Sequence, residues 1–86
     1  MYDIELTKTA EKEIVRIFKT DKKLYHRIIN AIEGLAENPK VGKALKNVLK
    51  GTYSYRVGAY RIIYTFSHKK LLITVIDIGH RRDIYK

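Results

Sequence analysis

The chain predicts an α+β fold: an N-terminal strand and a helix hairpin packed on a small, antiparallel-rich sheet. Three observations carry this expectation. Apolar residues recur at helical spacing through the first half, at Ile14, Ile17 and Phe18 and again at Leu24, Ile28, Ile32 and Leu35. From residue 53 onward the period shortens to that of strands, in segments rich in Tyr, Ile and Val. A length of 86 residues with 45% apolar content suffices for one modest core, hence a single domain over residues 1–86.

Each element has its own local signal. Tyr2, Ile4 and Leu6 alternate with Asp3 and Glu5, the pattern of a half-buried strand. Thr7 or Thr9 is placed to cap a first helix, with Glu11 and Glu13 near its positive end. Thr20-Asp21 breaks and recaps the chain, and Asn38-Pro39 stops the second helix. So short a connection predicts an antiparallel pair. Lys40 to Gly51 reads as a basic connector with a short helical turn around Ala44–Val48.

Tyr53–Val57 and Tyr60–Phe66 are alternating strands, and Leu71–Ile78 is the most apolar one. Gly58 falls at the first central position of the intervening turn, as a type II′ hairpin requires. That turn pairs Val57 with Tyr60 and sets Arg56 opposite Arg61. Tyr55, Val57, Tyr60, Ile62, Tyr64 and Phe66 are then expected on the helix-packed face. Ser67-His68-Lys69-Lys70 closes the last hairpin.

Composition narrows the function. The chain has no cysteine, which removes disulfides and thiolate metal sites. Its three histidines lack ligand spacing, so no metal and no cofactor is expected. No signal-peptide pattern opens the chain, and no apolar run approaches the ~20 residues that span a bilayer. The expectation is a cytoplasmic protein without a membrane partner. Net charge is +9, and it is unevenly placed. Residues 1–40 hold eight Lys/Arg against seven Asp/Glu, whereas residues 41–86 hold ten against two. A half this basic implies a polyanionic partner, either nucleic acid or an acidic protein covering it.

The candidate site gathers at two places. Arg56 and Arg61 oppose each other across the hairpin, an arrangement that costs stability unless an anion lies between the two guanidiniums. His80, Arg81, Arg82 and Tyr85 follow the last strand directly. These side chains can grip a phosphodiester, stack on a base and move protons without a metal. Lys46 and Lys50 are candidates for general phosphate contact. His26 and His68 are expected to be structural or inert.

Two blocks carry a family resemblance: Tyr53-Ser-Tyr-Arg-Val-Gly-Ala-Tyr-Arg-Ile-Ile-Tyr64 and Ile78-Gly-His-Arg-Arg-Asp-Ile-Tyr85. With the early strand, the helix hairpin closing at Glu37-Asn38-Pro39 and Leu45–Gly51, they make the chain resemble the RelE/ParE superfamily of toxins from prokaryotic toxin–antitoxin modules. The first block is common to both branches. The second is closer to RelE, because an aromatic residue follows the basic run.

The RelE resemblance implies an endoribonuclease that enters the ribosomal A site and cuts mRNA by metal-free attack of a 2′-hydroxyl on the adjacent phosphate. Such chemistry needs a base near the 2′-oxygen, cations on the transition state and a donor for the leaving oxygen. By resemblance the strand arginine falls on Arg61, the arginine after the final glycine on Arg81 or Arg82, and the C-terminal catalytic tyrosine on Tyr85. The chain departs from the family pattern at Ser54, where many members carry Lys or Arg. A free tyrosine titrates near ~10 and histidine near ~6.5, so one cation fewer leaves the general base open between Tyr85 and His80. Implied partners are a cognate antitoxin, the ribosome with its mRNA, and operator DNA for the antitoxin complex. The other branch implies a ParE-like inhibitor that binds DNA gyrase without catalysis and has no chemical use for Tyr85.

Overall fold

The computed structural model describes residues 1–45 and 51–80. In chain order the elements are β1 (Asp3–Leu6), α1 (Lys8–Thr20), α2 (Lys22–Glu37), a 3-10 turn (Pro39–Val41), β2 (Lys43–Ala44), β3 (Tyr53–Val57), β4 (Tyr60–Ser67) and β5 (Leu72–His80). The five strands form one sheet in the order β1-β5-β4-β3-β2. β1 runs parallel to β5, and the remaining pairs are antiparallel. The α+β expectation therefore holds, with both helices on one face of the sheet.

Caps decide where the helices begin and end. Thr7, not Thr9, caps α1: its hydroxyl accepts from the Ala10 N–H at 3.2 Å. Asp21 alone joins the helices. Its N–H donates to the Ile17 carbonyl at 2.8 Å, closing α1, and its carboxylate accepts from Leu24 N–H at 3.0 Å, opening α2. Asn38 ends α2 and caps the 3-10 turn that Pro39 begins.

The core is built from Ala10, Ile17, Ile28, Ile32, Leu35 and Ala36 of the helices against Val57, Ile62, Tyr64, Ile73, Val75 and Ile78 of the sheet. Two expected core positions depart from this. Phe18 is 45% exposed. It meets Tyr25 edge-on at 4.9 Å, with the Lys22 ammonium 5.2 Å from its ring, because the one-residue connection brings the start of α2 beside it. Ile4 also stays exposed on the edge strand, while Tyr2 and Leu6 pack on the core.

The connector is also corrected. Its helical turn comes earlier, at Pro39–Val41, and Ala44 is in a strand; the rest of the expected turn, residues 46–48, lies outside the described residues. Tyr64 holds this segment on the sheet. The phenol is fully buried, donates to the Pro39 carbonyl at 2.6 Å and accepts from Gly42 N–H at 3.0 Å. Burial pushes its pKa above the ordinary tyrosine value, so it remains a neutral donor. A Cβ at residue 42 would overlap the Tyr64 hydroxyl, so glycine is required there by contact.

The hairpin register is the expected one. Gly58 takes φ +61°, Val57 pairs with Tyr60 and Arg56 with Arg61. β5 differs from its expected bounds, since Leu71 belongs to the preceding turn at φ 51° and the strand continues to His80. It also contains a bulge: Ile63 pairs with Asp77 and Tyr64 with Val75, so Ile76 is the extra residue. The Ile76 carbonyl accepts from the Thr7 hydroxyl at 2.6 Å. Replacing Thr7 with Val keeps the shape but removes the cap and this second bond. It should cost about 2 kcal/mol, read as a lower urea midpoint at unchanged slope; an unchanged midpoint would show that neither bond matters.

Candidate functional site

Cross-strand partners share a face of a sheet, so the register sorts every candidate residue. Val57, Tyr60, Ile62, Tyr64, Val75 and Ile78 lie on the helix side. Ser54, Arg56, Arg61, Ile63, Asp77 and Gly79 lie on the far side. The two rows that matter there are Ser54–Ile63–Asp77 and Arg56–Arg61–Gly79. Gly79 contributes no side chain beside Arg61.

The two arginines answer their mutual repulsion by leaning apart along the ladder. Arg56 Nε donates to the Gly58 carbonyl at 3.3 Å, toward the turn. Arg61 Nη1 reaches the Ser54 hydroxyl at 3.4 Å, away from it. Ser54 is itself buried, at 3% exposure. The two guanidiniums thus share one face, with their hydrogen bonds drawn in opposite directions along the ladder.

His80 is on the other side. It pairs with Tyr60, and the two rings meet edge-on at 5.7 Å. The bulge is the reason: one extra residue at Ile76 changes the parity of β5, so Ile78 and His80 turn toward the helices. There His80 lines a cavity of about 200 Å³ with Glu13, Arg16, Tyr60, Asp77, Ile78 and Gly79. Arg16 Nε donates to Glu13 at 2.9 Å, and its Nη2 reaches the Tyr60 hydroxyl at 3.4 Å. Hydrogen bonding to Glu13 raises the pKa of this guanidinium further, so it is charged throughout. The register thus joins Arg56 with Arg61 and separates both from His80. Arg81, Arg82, Tyr85, Lys46 and Lys50 lie outside the described residues.

Two basic residues near the hairpin escaped the sequence reading. Arg27 of α2 reaches the hairpin turn: its Nη1 would lie 3.4 Å from a Cβ at residue 58. Lys43 pairs with Ser54 on the far side. Neither had a local signal, since one depends on helix–sheet packing and the other on a two-residue strand. Among the described residues no group of three or more His, Cys, Asp or Glu is placed to hold a metal ion. Likewise no described helix is long and apolar enough to cross a membrane.

The like-charge pair has a measurable cost. Arg56→Glu should convert repulsion into an ion pair and raise stability by about 0.5 kcal/mol, seen as a higher urea midpoint at low salt. A lower midpoint would mean that the two guanidiniums do not repel across the strands.

Comparison with known proteins follows the same lines. A family model described as the ParE toxin of the type II toxin–antitoxin system parDE matches residues 4–85. The chain is 32% identical to Toxin RelG of Mycobacterium tuberculosis, over 99% of this chain and 97% of that protein. The toxin–antitoxin complex RelBE2 from M. tuberculosis superposes with a TM-score of 0.79 at 28% identity, covering 95% of this chain and 93% of the other. The YoeB/ParE toxin of Agrobacterium tumefaciens shares the fold with a TM-score of 0.83 at 20% identity, covering 91% and 96%.

Proposed function

Since the chain belongs to the ParE toxin family of type II toxin–antitoxin systems, within the RelE/ParE superfamily, we propose that it is a ribosome-dependent mRNA endoribonuclease that works without a metal. The observation that carries this reading is the Arg56–Arg61 pair on the helix-free face, an arrangement that serves phosphate better than it serves folding. The similarity to proteins named RelG and RelE supports the same branch.

In this mechanism the 2′-oxygen bonds to the adjacent phosphorus while a base takes its proton. The bond from phosphorus to the 5′-oxygen breaks, and that oxygen takes a proton from solvent water as it leaves, giving a 2′,3′-cyclic phosphate and a 5′-hydroxyl. Arg61 and Arg81 (or Arg82) hold the charge of the pentacoordinate transition state, where preorganised donors contribute most. Arg56 binds the backbone alongside, and Lys46 and Lys50 add general attraction. Tyr85 is the base in this reading. His80 shares the helix side with Tyr60, so its imidazole faces away from the arginine pair.

A cognate antitoxin is the implied partner. Structural neighbours include the RelBE2 toxin–antitoxin complex. The +8 balance of residues 41–86 suits an acidic segment that folds as it wraps the toxin. The complex of the two is then the species that would meet operator DNA. Co-expression with the antitoxin should relieve growth arrest and raise yield; a chain harmless to translating cells when expressed alone would count against the toxin reading.

Primer extension on translated mRNA tests the activity. Wild-type protein should produce new 5′ ends within codons on the ribosome. Arg61→Ala should slow cleavage by about 10²-fold while remaining folded, and Arg61→Lys should restore little, because the bidentate fork is lost. Tyr85→Phe should abolish cleavage yet keep ribosome binding, whereas His80→Ala should be mild. Reversal of the last two results would move the base to His80. The family model's ParE description favours a second reading, inhibition of DNA gyrase by binding alone. Absence of new 5′ ends together with loss of supercoiling activity would establish it.

A further inference from the structure

The far face lacks a cation on β3 at Ser54, and the topology supplies one from the neighbouring strand. We propose that Lys43 is the third cation of the phosphate-binding face and contacts the RNA backbone directly. This rests on the endoribonuclease reading and adds a residue to its site.

The placement follows from register. β2 pairs antiparallel with β3, Lys43 against Ser54 and Ala44 against Tyr53. Tyr53 belongs to the helix side, where it stacks on Tyr64 at 5.7 Å and meets Phe66 at 4.9 Å. Its partner Ala44 shares that side, so Lys43 is on the far face with Ser54, Arg56 and Arg61. The strand is short, but its entry is held: the Tyr64 phenol binds both the Pro39 carbonyl and the Gly42 N–H immediately before Lys43.

Spacing makes the three cations one site. Arg56 is the diagonal neighbour of Lys43, ~7–8 Å away along the ladder. Arg61 is two strands over and two residues along, roughly 12 Å at the usual strand spacing and rise. It already leans back toward Ser54, the residue Lys43 faces. Ser54 is small, so it sets no bulky side chain between a flexible lysine stem on β2 and Arg56 further along β3. Lys43 itself is exposed and free to make that reach. A phosphate chain crossing the sheet beside Arg56 would therefore meet Lys43 on one neighbouring strand and Arg61 on the other.

Two measurements on the full chain decide this. The first is binding of a short single-stranded RNA whose 2′-O-methyl groups block cleavage, followed against salt concentration. Losing one phosphate contact should lower the slope of log K against log salt by ~0.7. Lys43→Gln should show that loss, Lys43→Arg should not, and Lys69→Gln, in the exposed turn after β4, should match wild type. The second is cleavage of mRNA on programmed ribosomes, where Lys43→Gln should be at least about tenfold slower and Lys43→Arg close to wild type. An unchanged salt slope for Lys43→Gln overturns the proposal, whatever the cleavage rate. Should the wild-type chain not cut mRNA at all, the endoribonuclease reading fails. The RNA-binding slope then still judges Lys43.

Discussion

Three elements meet at Thr7, and the rest of the structure depends on that junction. Its N–H donates to the Val75 carbonyl at 3.1 Å, its hydroxyl donates to the Ile76 carbonyl at 2.6 Å, and the same oxygen accepts from Ala10 N–H at 3.2 Å. One side chain thus ends β1, starts α1 and satisfies the carbonyl of the residue that bulges out of β5. A bulge leaves its extra residue outside the β4 ladder, and a buried carbonyl there needs a partner. Because Thr7 provides it, the bulge is stable, and the parity of everything after Ile76 is set.

That parity governs the site. Without the extra residue, strict alternation from Ile73 and Val75 would bring Asp77 and Gly79 to the helix side and His80 to the far face. With it, Ile78 fills the core and Gly79 sits beside Arg61. The far face therefore collects guanidiniums where β5 offers no side chain to crowd them, while His80 joins Tyr60, Arg16 and Glu13 in a separate cavity. A single backbone irregularity divides two groups of chemically capable residues that adjoin in sequence.

The arginine pair shows why a local cost can mark a function. Directly opposed cations oppose folding, and the structure relieves rather than removes the strain by drawing Arg56 to Gly58 and Arg61 to Ser54. Elsewhere the chain is locally consistent. Asp21 satisfies both helix ends it touches, and the buried Tyr64 hydroxyl has both a donor and an acceptor partner. An opposed pair of like charges, Arg56 exposed and Arg61 partly buried, is the kind of local violation where a binding site is expected.

What the sequence determined by itself was everything decided within a few residues. Helix limits at Asp21 and Asn38, the Gly58 turn and the Arg56–Arg61 register all follow from caps and φ preferences that act along the chain, so they were legible. The helix-packed faces of β3 and β4 were legible for the same reason, because alternation begins from a fixed turn. The tertiary structure decided what depends on distant partners: the parallel pairing of β1 with β5, the bulge at Ile76, the choice of Thr7 over Thr9 and the exposure of Phe18. Lys43 belongs with these. Nothing near it in sequence distinguishes it from other lysines, and its place opposite Ser54 depends on distant contacts, among them a buried phenol 21 residues later that holds the chain before it against the sheet. Local torsions and caps are properties of a segment. Register, parity and burial are properties of the surface that a segment meets.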